Sequence, residues 1–182
     1  MSQQKAVAVF GSSATEPGSK DWVDAERAGT RLAAAGLDVV TGGYGGTMEA
    51  VSRGAAARGS GVIGVTATAL FPSRSGANRH VTLEIETETL AQRIGALIDM
   101  AHGTLVLPGS IGTAAELMVA WNFNHIARLA GGTRKPTSAV GEDWAELAEL
   151  LVRRTGANVG DVHLSASVDD AVDWLLGQEE MS

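Results

Sequence analysis

Short runs of consecutive apolar residues alternate along this chain with longer stretches whose apolar positions recur every three or four residues. Ala6-Val7-Ala8-Val9-Phe10 is the first run, stopped by Gly11-Ser12-Ser13. Residues 22–35 carry a helical period, with Ser19 or Asp21 near the cap and Gly36 as the stop. Residues 37–41 form a second apolar run, followed by Gly42-Gly43-Tyr44-Gly45-Gly46 and a helical stretch at 47–58. Residues 62–66 read as a third strand, 67–80 as irregular with Pro72, Gly76 and serine or arginine at 73–75, and 81–85 as a short strand. Connections of that length are commonly functional. Helix 87–101 places Leu90, Ile94, Leu97, Ile98 and Ala101 on one stripe. Then follow strand 104–107, helix 112–130, strand 136–140, helix 143–154, strand 162–164 and helix 169–176, the last capped by Ser167.

Continuously apolar strands separated by helices predict a parallel sheet covered on both faces. Right-handed crossovers make it a doubly wound, Rossmann-like α/β fold, expected as a single domain over residues 1–182. Ligands of such sheets bind at the carboxyl ends of the strands. Three glycine-containing turns fall there: after the first strand, after the second, and at 108–113.

The third turn is the most informative. In Leu105-Val106-Leu107-Pro108-Gly109-Ser110-Ile111-Gly112-Thr113-Ala114-Ala115-Glu116 a strand passes through glycines into a helix. Bare backbone N–H groups and a helix N-terminus favour an anion such as a phosphate. Glu116 stands beside them as a catalytic acid, or as the partner of Thr113 in a T-x-x-E capping box; the two roles are compatible. Arg93 borders the apolar stripe of its helix. A surface arginine lying along apolar neighbours is the plain reading, but its helix leads directly into the strand ending at Pro108. Trp121, Phe123 and Ile126 read as core, with a helix-on-helix dimer contact as the alternative.

Composition narrows the chemistry. Fourteen basic against 21 acidic residues give a net charge of −7, which argues for a small substrate over nucleic acid. The absence of cysteine removes thiolate catalysis and cysteine metal sites. His80, His102, His125 and His163 show no ligand spacing, so no metal is expected. G-x-G-x-x-G, the P-loop and G-x-S-x-G are missing, and Lys5, Lys20 and Lys135 lie outside both glycine turns that follow the second strand and Leu107. Met1-Ser2-Gln3-Gln4-Lys5 leads straight into the first strand, and no apolar run approaches membrane-spanning length. A soluble cytoplasmic protein is expected.

Together these residues resemble the LOG (Lonely Guy) family, Rossmann-like proteins often labelled lysine decarboxylases. The family motif PGGxGTxxE is matched by Pro108-Gly109-Ser110-Ile111-Gly112-Thr113-Ala114-Ala115-Glu116, with Arg93 at the family's spacing on the preceding helix. Val9 to Ser13 resembles the first turn; 41–50 with Arg53-Gly54-Ala55 resembles the second. The likeness covers residues 5–140. Ser110 departs from the second motif glycine, Ile94 from a lysine, and Gln92 from a glutamate. Gly-Thr-Met-Glu stands where cytokinin-activating members have Gly-Leu-Met-Gly. The resemblance implies hydrolysis of the N-glycosidic bond of a purine-type or cytokinin nucleoside 5′-monophosphate, without a cofactor. Glu116 would stabilise the ribosyl cation and handle water, and Arg93 would keep Glu116 ionised and contact substrate. The N–H groups of Gly109, Ser110, Ile111, Gly112 and Thr113, with Gly45 and Gly46, would hold the phosphate. Ser12 and the 67–80 loop, including Asn78, would border the base or ribose. It also implies a homodimer with sites near the interface. The alternative within the same fold is a carrier that binds a nucleotide or molybdenum cofactor without hydrolysis.

Overall fold

The computed structural model describes residues 4–73 and 76–181. Met1, Ser2 and Gln3, which precede the first apolar run, and Arg74 and Ser75 of the irregular stretch lie outside the described residues. The elements in chain order are β1 (Ala6–Phe10), α1 (Lys20–Ala34), β2 (Asp38–Thr41), α2 (Thr47–Ala56), β3 (Val62–Thr66), β4 (Leu83–Glu86) and α3 (Leu90–Asp99). There follow β5 (Gly103–Val106), α4 (Ile111–Ala130), β6 (Thr137–Val140), α5 (Glu142–Thr155), β7 (His163–Ser165) and α6 (Val168–Leu176). Among the described residues the strands form one parallel sheet in the order β4-β3-β2-β1-β5-β6-β7. This is the α/β, doubly wound, Rossmann-like architecture that the alternating pattern predicts. No described helix is long and apolar enough to cross a membrane.

Central β1 shows why its residues are apolar throughout. Side chains alternate between the two faces of a strand. Val7 and Val9 enter one core with α1 residues Ala25 and Leu32, α2 residues Val51 and Ala55, and α6 residues Val172 and Leu175. Ala6, Ala8 and Phe10 enter the other, with Ile94, Leu97, Leu117, Trp121 and Trp144 of α3, α4 and α5. A strand buried on both faces has no polar side to show, hence the continuous run. Trp121 is core, and its indole N–H donates to the Asn158 carbonyl at 3.1 Å. Ile126 of the same helix is exposed.

The helices start where local hydrogen bonding allows. Ser19 caps α1, its hydroxyl accepting from the Trp22 amide at 3.2 Å. Helix α3 begins at Leu90, later than the predicted 87. The Thr87 amide and hydroxyl are both committed to the Thr66 carbonyl, at 2.9 and 2.8 Å. Thr89 and Gln92 then close a capping box. Helices α1 and α2 pack closely through glycine: a Cβ at Gly54 would overlap the Glu26 carbonyl oxygen.

From β1 the chain steps outward through β2 and β3 to β4. Helix α3 then carries it back across to β5 on the other side of β1. The order therefore reverses between β1 and β5, and the turns after these two strands open into one crevice. Among its described residues the β3–β4 connection contains no helix, and β4, with Leu83 and Glu86 exposed, is the edge strand of the sheet.

Candidate functional site

Three turns are stitched together at this reversal. The Leu107 amide donates to the Phe10 carbonyl at 2.9 Å, and the Ser12 amide to the Pro108 carbonyl at 3.3 Å. The Thr47 amide, opening α2, donates to the Ser12 carbonyl at 2.9 Å. Thr47 and Thr15 hydroxyls join at 2.8 Å. Backbone bonds between turns fix the crevice walls without using side chains that a ligand needs.

Helix α4 starts at Ile111, with Ser110 at its N-cap and no side-chain bond closing the cap. Thr113 is therefore inside the first turn and forms no T-x-x-E box with Glu116. Its side chain turns back against Gly109, where any Cβ would collide with the Thr113 hydroxyl oxygen. Only glycine fits there. The Thr113 residue is 2% exposed and its Oγ1 has no hydrogen-bond partner among the described residues. An orphaned buried hydroxyl costs stability, and here it borders the site cavity at a helix N-terminus.

Arg93 reaches the same cavity from α3. It is 7% exposed, so the surface-arginine reading does not hold. Its Nε donates to the Val65 carbonyl at 2.8 Å and its Nη2 to the Gly42 carbonyl at 3.0 Å. These carbonyls lie at the carboxyl ends of β3 and β2. The guanidinium carbon lies 5.6 Å from the Tyr44 ring centroid and 6.0 Å from that of Phe71. The remaining Nη1 faces Glu116 Oε1 at 3.6 Å. The Glu116 side chain is 12% exposed. Burial pushes its pKa up to about 7, with the Arg93 charge pulling the other way. A carboxyl so placed exchanges protons near neutrality, as acid–base catalysis requires.

The cavity measures about 180 Å³. Ser110, Gly112 and Thr113 line it with Arg93 and Glu116, while Gly11, Ser13, Gly42, Met48 and Phe71 complete much of its wall. Gly109 supports Thr113 from behind, and Ile111 turns its side chain to solvent at 86% exposure. Other sequence-predicted residues stand apart from the lining. The Ser12 hydroxyl accepts from the Ala14 amide at 3.1 Å. Gly46 packs on the Ser12 and Ser13 carbonyls, and Gly45 lies beside Glu49. Asn78 spends its amide group on the Gly43 and Tyr44 carbonyls, both at 3.0 Å, and thereby ties the β3–β4 connection to the second glycine turn.

Ser13 and Met48 are lining residues that sequence reasoning missed, and Phe71 was covered only as part of the 67–80 loop. The available signal for Phe71 was an aromatic residue within an irregular segment of a chain with 4% aromatics. A larger hollow of about 260 Å³ between α4 and α5, lined by Met118, Trp121, His125 and Leu151, has no buried acid–base pair. Among the described residues no group of His, Asp and Glu is arranged for a metal ion.

Comparison with known proteins bears on this site. The model of the SLOG cluster4 family matches residues 4–159. A cytokinin riboside 5′-monophosphate phosphoribohydrolase from Mycobacterium marinum is 33% identical over 99 residues, covering 54% of this chain and 52% of that protein. A pyrimidine/purine nucleotide 5′-monophosphate nucleosidase from Escherichia coli is 31% identical over 105 residues, covering 54% of this chain but 23% of the enzyme. The matched regions thus span about half of one curated relative and under a quarter of the other. Among solved structures, a molybdenum cofactor binding protein from Rippkaea orientalis superimposes with TM-score 0.74. It is 21% identical and covers 96% of this chain and 97% of that one. At that identity the likeness is one of fold.

Proposed function

Since the chain belongs to the SLOG cluster4 family, we propose that it is a cytoplasmic nucleoside 5′-monophosphate phosphoribohydrolase. The observation that carries this reading is the buried Arg93–Glu116 pair facing the same cavity as the unpartnered Thr113 hydroxyl. The relatives with nucleotide monophosphate activities support it.

The 5′-phosphate sits at the start of α4. It meets the amides from Gly109 to Thr113 and takes the Thr113 hydroxyl as a donor, which satisfies that group. The Ser110 hydroxyl, at an N-cap it does not close, adds a second contact. Gly45, Gly46, Ser12 and Asn78 act one step back, holding the neighbouring turns in place. Cleavage breaks the C1′–N bond, the electron pair leaving with the base, and positive charge develops on the ribose as in other glycosidic cleavages. The Glu116 carboxylate stabilises that charge and accepts a proton from the water whose oxygen bonds to C1′. The same carboxyl then returns the proton to the departing base nitrogen. Arg93, pinned by two carbonyls, orients Glu116 and favours its ionised form.

A molybdenum-cofactor or nucleotide carrier would use the same phosphate grip but would have no use for the Arg93–Glu116 pair. Thermal shifts with nucleotides and with molybdenum cofactor, followed by a turnover assay, separate the two. Chromatography of AMP and N6-substituted AMP incubated with the protein tests the enzyme directly. Wild type releases free base, and Glu116→Ala slows release by about 10²-fold or more. A wild type inert on a broad panel of monophosphates overturns the reading.

A homodimer belongs to the same proposal. Val119, Ile126 and Leu129, spaced seven and three apart, share an exposed side of α4. An apolar helix face of this kind is covered by a second copy.

A further inference from the structure

We infer that Phe71, on a cavity wall that also includes Met48, is the surface on which the base of the nucleotide stacks, and that the site accepts purine and pyrimidine monophosphates alike. The inference rests on the nucleotide reading above and specifies its substrate range.

The cavity has two chemically distinct groups of wall residues. Ser13, Ser110, Gly112 and Thr113 are small and polar or bare backbone, suited to an anion. Phe10, Met48 and Phe71 are apolar, and offer area but no hydrogen bond. The Arg93–Glu116 pair lines the same cavity, and the reacting carbon belongs beside it. A ligand with phosphate at the first group and its reacting carbon at the pair has only the apolar group left for its third part. A flat heterocycle fits that wall, because every base presents a π-face to an aromatic ring.

Phe71 is held for this work although it lies on a segment without helix or strand. Its ring meets Tyr44 edge-on, with centroids 5.6 Å apart at an interplanar angle of 73°. Tyr44 is buried, and its hydroxyl accepts from the Ala67 amide at 2.8 Å. The Phe71 amide donates back to the Ala67 and Thr68 carbonyls, each at 3.2 Å. Both ends of this aromatic pair are therefore anchored to the same stretch of chain.

Base discrimination needs groups that read the edge of the heterocycle. Among the described residues the lining contains no asparagine, glutamine or aspartate side chain. Arg93 is committed to Val65, Gly42 and Glu116. Asn78, the nearest amide in sequence, is consumed by backbone carbonyls and stands outside the lining. Sites that hydrogen-bond a substrate group reject analogues lacking it strongly, whereas apolar walls discriminate weakly. Stacking without edge contacts therefore produces tolerance.

Calorimetric titration tests this with the full chain carrying Glu116→Gln to prevent turnover, with and without Phe71→Ala or Phe71→Tyr. The probes are AMP, CMP and ribose 5-phosphate. AMP and CMP should bind within about fivefold of each other. Phe71→Ala should weaken both by about tenfold, Phe71→Tyr should retain both, and ribose 5-phosphate should change by less than about twofold. Equal weakening of ribose 5-phosphate by Phe71→Ala makes the ring a mere prop for Arg93 and overturns the inference. Unchanged AMP affinity, absence of nucleotide binding, or a preference between AMP and CMP above about 100-fold also overturns it. Normal nucleotide titrations alongside a wild type that releases no base would sink the hydrolytic reading alone and leave this one standing.

Discussion

Glu116 combines two opposing influences in one side chain. Burial favours its neutral form and Arg93 its charged form, and burial wins, leaving the carboxyl titrating at about 7. If the carboxylate is the working form, the sign follows directly. Below about pH 7 the active fraction falls, so kcat/KM for AMP should drop close to tenfold per pH unit, and above that value it should level off. A pH–rate series on wild type checks this, and a profile flat from pH 5 to 8 would contradict it. The pairing itself was partly legible in the sequence: Glu116 follows a glycine turn, and Arg93 sits on the helix before the adjoining strand. Two features at this scale were not legible. The orphaned Thr113 hydroxyl depends on α4 beginning at Ile111 with Ser110 at the N-cap, which puts Thr113 inside the first turn and removes the expected capping box. Phe71 enters the cavity through a hydrogen-bonded path involving Tyr44 and Ala67, and no local periodicity encodes that path.

Strands and helices were readable because each is dictated by its own burial. β1 and β3 occupy the predicted residues, and α1 ends at the expected glycine stop. Boundaries moved where a distant partner intervened, as at Thr87, whose bonds to β3 delay α3. The α1–α2 contact was not readable, since it depends on how closely two helices approach. It gives a prediction whose sign is informative. Replacing glycine by alanine inside a helix ordinarily stabilises by up to about 1 kcal/mol. At Gly54 the added carbon meets the Glu26 carbonyl, with the Thr30 amide nitrogen also only 3.0 Å away. Gly54→Ala should therefore destabilise by about 1–3 kcal/mol in urea unfolding, with kcat for AMP retained because the contact is remote from the cavity. A gain in stability would show that the helices can separate freely.

At the scale of the whole molecule, alternating strand and helix patterns foretold a doubly wound sheet, and the reversal between β1 and β5 explains why chemistry gathers beside Pro108. The pattern could not show which helix faces remain open, because exposure depends on every neighbour. The α4 face bearing Val119, Ile126 and Leu129 carries the dimer proposal. Light scattering should find two copies for wild type and one for the doubly substituted Ile126→Glu, Leu129→Glu; a wild-type monomer at micromolar concentration would refute the proposal. The uncovered β3–β4 crossover has a different consequence. Where other strand-to-strand crossings here carry a helix locked into a core, this one carries the Phe71 wall on irregular chain tied to the second glycine turn through Asn78 and Ala67. With Asn78 and Ala67 kept, the rest of its sequence can be rewritten without rebuilding the sheet, while Glu116 and the 108–113 turn stay anchored in regular elements. On the proposed nucleotide reading the molecule separates a fixed reaction centre from an exchangeable recognition cassette, and grafting a foreign β3–β4 segment is the shortest route to a new substrate preference.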